Sequence, residues 1–112
     1  MRKCLSFCVV ITMLLFVSIT VYAQTQSGSS LGHAKDVFEY GRTVNLKGEY
    51  GQYSKFYCNK KNHSATAVVG ESCKGVVIYH YSKSSANSGH KASAETKKYG
   101  NVVEWNSYYK HS

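Results

Sequence analysis

The 112-residue chain contains no proline, and only six acidic residues stand against fourteen Lys and Arg. Absence of proline excludes the usual proline-containing wall-sorting signal and leaves turns to Gly, Asn and Ser. The sparse carboxylates show no paired acid/base signature. Five histidines (His33, His63, His80, His90 and His111) show no metal spacing such as H-E-x-x-H, and the cysteines are too few for a zinc finger. The sequence therefore predicts no metal and no cofactor. A search by role for a base, a nucleophile and an orienting group finds no constellation, so no enzyme is expected. Nucleic-acid binding suits the basic, aromatic composition, but no RNP-type motif is present and none is expected as a partner. No long hydrophobic run follows the first one.

That first run is a secretory leader in form. Met1-Arg2-Lys3 is positive, Phe7 to Val17 is apolar apart from Thr12, and Val21-Tyr22-Ala23 offers small residues at the exit. We expect a signal-peptide helix over residues 1–23, cleavage between Ala23 and Gln24, and a secreted, extracellular product. Residues 24–112 then carry a formal charge of +6. Both Met residues and most Leu leave with the leader, so the core must come from aromatics, Val and Ala, which suit a pleated sheet.

Residues 24–36 open with the small, polar QTQSGSS and read as a flexible N-terminal arm, with order beginning near Val37. Residues 37–112 read as one all-β domain, a small β-sandwich of two antiparallel sheets with six or seven short strands. Val44, Leu46 and Tyr50 alternate with Thr43, Asn45, Lys47 and Glu49. Tyr53, Lys55 and Tyr57 alternate with Ser54, Phe56 and Cys58. Asn59–Asn62 reads as a turn and His63–Val69 as a strand. GVVIYHY at Gly75–Tyr81 is apolar on both faces, as a central strand would be. Ser82–Gly89 reads as a loop. Ala92 and Ala94 point inward, and Val103, Trp105 and Tyr109 mark one face of the last strand.

Cys58 and Cys73 remain beyond the leader, and an exported chain favours their pairing as a disulfide. A simple hairpin of Tyr53–Cys58 on His63–Val69 would separate them beyond the reach of a bridge. Bridge and simple hairpin exclude one another; with a bridge, the segment must fold back or cross between sheets.

The run Tyr53-Ser54-Lys55-Phe56-Tyr57, the basic Lys60-Lys61 and the stretch His63-Ser64-Ala65-Thr66-Ala67-Val68-Val69 resemble the central segment of the lactococcin 972 family of bacteriocins. Lys91-Ala92-Ser93-Ala94 and Tyr108-Tyr109 resemble its later elements. The resemblance spans roughly Phe38 to Tyr109. It departs from the family in having Cys58 and Cys73 and in lacking an early Trp. It implies an exported antibacterial protein that binds the cell-wall precursor lipid II and blocks septum formation in related Gram-positive bacteria. It also implies a β-sandwich, a homodimer and neighbouring membrane proteins for immunity and export. Tyr53, Tyr57, Lys60, Lys61 and His63 are the candidate binding residues, because they lie on the strongest motif. The competing reading is a secreted adhesion or host-interaction module without killing activity.

Overall fold

A computed structural model describes residues 18–112, with side chains from Tyr22 onward. Seven strands follow in order among the described residues: β1 (Ser18–Ser27), β2 (Val37–Asn45), β3 (Tyr50–Cys58), β4 (His63–Cys73), β5 (Val76–Ala86), β6 (His90–Glu95) and β7 (Val102–His111). A 3-10 turn, Ser29–Leu31, follows β1. They form two antiparallel sheets, one ordered β1-β2-β3-β6 and the other β5-β4-β7. No helix among the described residues is long and apolar enough to cross a membrane.

The sheets pack face to face through alternate side chains. Phe38 and Phe56 from one sheet meet Tyr109 from the other, with ring centroids 4.8 Å and 4.6 Å apart. Leu31, Cys58, Ala65 and Ala92 close this cluster. Ala65, Ala67, Ala92 and Ala94 are buried, and their small size lets the sheets approach where the rings are absent. Toward the other end the Arg42 guanidinium lies 3.9 Å from the centre of the Trp105 ring, a cation–π contact. Between the sheets Gln52 donates to Ser107 Oγ at 2.7 Å, and Ser54 donates to the Thr66 carbonyl at 2.8 Å.

Several sequence expectations change. The segment 24–36 is not a loose arm. Gln24–Ser27 pair with Tyr40–Val37, and Leu31 enters the core. The signal-peptide helix falls mainly on residues 1–17, outside the described residues, while Ser18–Ala23 form the first part of β1. Small residues at i and i+2 serve a strand as well as a leader exit, because both are extended. The expected cleavage bond, Ala23–Gln24, therefore lies inside a paired strand.

β5 is an edge strand, not a central one, and its apolar outer residues Val77, Tyr79 and Tyr81 meet solvent. It continues through Ser82–Ala86, where polar composition suggested a loop. Those residues pair with Ala67–His63. Leu46 is 67% exposed at the apex of the β2–β3 turn, and Asn45 is buried instead. The Asn45 carboxamide accepts from the Lys47 and Glu49 N–H groups, and Gly48 takes φ +81°, so the turn is built locally. Val103 shares the parity of Trp105 but is 53% exposed, because the register shifts at Gly70/Glu71.

The chain does not make the simple hairpin at Asn59–Asn62. β3 and β4 lie in different sheets, so the turn crosses between them. Cys58 is nonetheless a free, buried thiol, and Cys73 is disulfide-bonded, but not to Cys58. Cys73 ends β4 at the far edge from His63, on the order of 30 Å along an extended strand, which no disulfide spans.

Phe56 is fully buried against four other rings, those of Phe38, His63, Tyr109 and His111. Phe56→Ala should destabilise the fold by about 3–5 kcal/mol, measured as a lower urea midpoint with an unchanged slope. Removing residues 1–23 should strip the partner from Gly41–Asn45 and leave Val37–Tyr40 paired. Hydrogen exchange should accelerate at those amides of residues 41–45 that point toward β1, and not over residues 37–40.

Candidate functional site

The outer face of the three-stranded sheet carries a groove. β4 runs along its centre, and the residues it turns outward are small or short: Ser64, Thr66, Val68 and Gly70. Their neighbours on β5 are Ser85, Lys83, Tyr81 and Tyr79, and on β7 Lys110, Tyr108, Asn106 and Glu104. A floor of small side chains between two rows of long ones makes a trough by sheet geometry alone. One part of it, about 330 Å³, is lined by Ser64, Thr66 and Val68 below, with Tyr81, Lys83, Tyr108, Tyr109 and Lys110 around them. Tyr81 is 72% exposed, a large ring with little packing of its own. Beyond this part, Tyr79 donates to Glu104 Oε1 at 3.0 Å across the floor at Gly70, and that hydrogen bond holds the phenol above its ordinary value. The middle of the groove thus offers two phenols and two ammonium groups without a carboxylate among them.

The five residues selected from the sequence are not brought together. Tyr53 and Tyr57 are half-buried on the outer face of the other sheet, with Lys55 between them. The Lys55 ammonium lies 5.4 Å from the centre of the Tyr53 ring. Burial and the nearby Glu39 carboxylate push the Tyr53 phenol up. Lys60 and Lys61 are exposed in the crossing turn. His63 is 1% exposed between the sheets, where one ring nitrogen lies 2.8 Å from the Lys61 carbonyl and the other 2.7 Å from that of His90. It joins the crossing turn to β6, which is a structural task. Tyr81, Lys83, Tyr108 and Lys110 were not selected for binding. Only the sheet assignment of β5 and β7 reveals that their alternate positions share one face.

A second constellation escaped sequence reading entirely. His33, Asp36, Cys58 and His111 converge at the end of the sandwich beside the crossing turn, with one donor atom of each lying within 4.8 Å of the others. Asp36 and Cys58 are fully buried, whereas His33 and His111 are partly exposed. His33 Nδ1 is 3.4 Å from His111 Nε2 and 3.6 Å from Cys58 Sγ. Asp36 Oδ2 lies 2.8 Å from His111 Nε2 and accepts the His33 backbone N–H at 3.1 Å. Burial alone would raise the Asp36 carboxyl. Hydrogen bonds from Cys58 and His111, the His111 charge and the His33 N–H outweigh it and hold the group below its ordinary 3.8. Two of the four residues are three apart, and the others come from the ends of β3 and β7, so no local motif announces them.

The arrangement does not resemble a catalytic triad. A base in a triad turns one ring nitrogen to the nucleophile and the other to the acid. Here Cys58 and Asp36 both face His33 Nδ1, and Cys58 has no exposed surface for a substrate to reach. These residues can hold a metal ion; they are not arranged to pass a proton along a line. No protein-family model matches the chain, and neither a curated protein nor a solved structure matches it.

Proposed function

We propose that the chain is an exported antibacterial protein of the lactococcin 972 type, which holds an anionic, sugar-bearing envelope precursor such as lipid II and so blocks septum formation. The observation that carries this reading is the groove along β4, with Tyr81 and Lys83 on one wall and Tyr108 and Lys110 on the other. Tyrosine faces suit the planes of sugar rings, and ammonium groups suit a pyrophosphate. The +6 charge of residues 24–112 would draw the protein toward anionic envelopes, with an attraction that salt weakens. Tyr108 belongs both to the groove and to the family-like segment of the sequence. The reading is one of binding and not of catalysis. Residues 1–23 would direct export.

The purified protein should inhibit related Gram-positive cells, with division defects and no dye leakage. It should also bind vesicles that contain lipid II more tightly than vesicles that lack it. Lys83→Ala and Lys110→Ala should each weaken that binding by about 10- to 100-fold, the worth of one hydrogen bond to a charged group. Rapid depolarisation would replace the reading with pore formation. No inhibition, together with saturable binding to a host surface, would replace it with an adhesion module.

A further inference from the structure

We infer that His33, Asp36, Cys58 and His111 form a four-ligand site for a transition-metal dication, with Zn²⁺ the ion best suited to it. The site lies apart from the groove, and its occupancy does not depend on what the groove binds.

The distances carry the inference. In a tetrahedral zinc site, bonds of about 2.0 Å to nitrogen and about 2.3 Å to sulfur put two nitrogen ligands about 3.3 Å apart. They put a nitrogen and a sulfur about 3.5 Å apart. The His33–His111 separation is 3.4 Å and the Cys58–His33 separation is 3.6 Å. His33 Nδ1 and Asp36 Oδ2 are 3.6 Å apart. The 2.8 Å between His111 Nε2 and Asp36 Oδ2 is shorter, as a direct hydrogen bond requires, and the two remaining pairs, from Cys58 to His111 and to Asp36, lie within 4.8 Å. The two imidazoles meet nearly edge to face, at 77°, with nitrogens rather than carbons turned to the common centre.

Two further observations point to a ligand. The second carboxylate oxygen of Asp36, Oδ1, is buried and has no hydrogen-bond partner. A buried acceptor without a donor is unfavourable unless something else satisfies it. The charge also suits a dication. One thiolate and one carboxylate offset its two positive charges, so the occupied centre is neutral as it enters a poorly solvated place. Binding requires Cys58 to lose its proton to solvent as the metal–sulfur bond forms, and His111 to give up the proton that its Nε2 donates to Asp36, so that the metal meets a thiolate, a carboxylate and two bare ring nitrogens.

The surrounding chain holds the donors in place. The loop from Gly28 to Asp36 is closed by Gly28 N–H donating to the Asp36 carbonyl at 3.0 Å, and Asp36 N–H donates to the His33 carbonyl at 3.0 Å. Buried Leu31 pins this loop to the core. Gly32 takes φ +132°, and a β-carbon there would lie 2.6 Å from His111 Cε1. Glycine at this position therefore leaves room for the ligand ring. His33 and His111 retain partial exposure and provide a way in for the ion. Thiolate, imidazole and carboxylate together favour Zn²⁺ over the oxygen-loving Mg²⁺ and Ca²⁺. Four protein ligands with no open position make the site structural, tying the N-terminal loop, β3 and β7 together.

The test uses the untagged full-length chain, stripped by a chelator and titrated without oxygen with Co²⁺, then with Zn²⁺. One equivalent of Co²⁺ should give tetrahedral ligand-field bands and a thiolate-to-metal charge-transfer band, both erased by Zn²⁺. Cys58→Ser should lose the charge-transfer band even though Cys4, Cys8 and Cys73 remain. His33→Gln changes a partly exposed side chain and should keep the circular dichroism spectrum. It should weaken Zn²⁺ by at least about 100-fold, the upper range for a change even one shell further out. Zn²⁺ should raise the melting temperature of the parent chain and leave that of His33→Gln nearly unchanged. Failure of the folded parent chain to take up either ion would overturn the inference. So would a charge-transfer band that survives Cys58→Ser, or stoichiometric tight Zn²⁺ binding by folded His33→Gln.

Discussion

Phe56 in one sheet and Tyr109 in the other meet at 4.6 Å, and the molecule is registered on that contact. Phe38 completes the interlock from β2. With the rings fixed, the next inward positions of β3 and β7 follow by the two-residue period of a strand. Those positions are Cys58 and His111. The same packing that fills the core therefore delivers a thiol and an imidazole to one end of the sandwich. The N-terminal loop, anchored there by Leu31, adds His33 and Asp36.

The crossing at Asn59–Asn62 has an equally large consequence. By carrying the chain from one sheet to the other, it makes β4 the centre of a three-stranded sheet instead of a hairpin partner for β3. His63, held between the Lys61 and His90 carbonyls, secures the crossing from inside. The small outward residues of β4 then become the floor of a groove, because longer side chains stand on both neighbours. A cationic, tyrosine-walled trough and a half-buried cluster of mixed donors are thus two outcomes of one topological step. They lie on different surfaces and ask for different ligands.

The inner faces follow directly from alternation. Ser54, Phe56 and Cys58 are buried, as are Ala92 and Ala94, because a sheet covered on one side separates its residues by parity. Parity misleads at Val103, where a bulge resets it, and at Leu46, where a turn ends the strand early. The strength of the Tyr53–Val69 motif also gives no guide to a shared surface. Its residues divide between an outer face, a turn and the space between sheets, since the chain changes sheet in the middle of the motif.

By itself the sequence determined an all-β, cationic protein built on aromatics and Ala, with β2, β3, β4, β6 and β7 close to where the structure has them, whereas β1 and the second half of β5 were read as a leader, an arm and a loop. These are local properties: composition, period and turn chemistry act over a few residues. Which strand lies at an edge, and which distant side chains converge, depends on sheet order and on the direction of one crossing. Tertiary structure alone decided that β5 is exposed, that Cys58 stays free of Cys73, and that His33, Asp36, Cys58 and His111 meet. The physical reason is that packing between sheets, and not spacing along the chain, sets those distances.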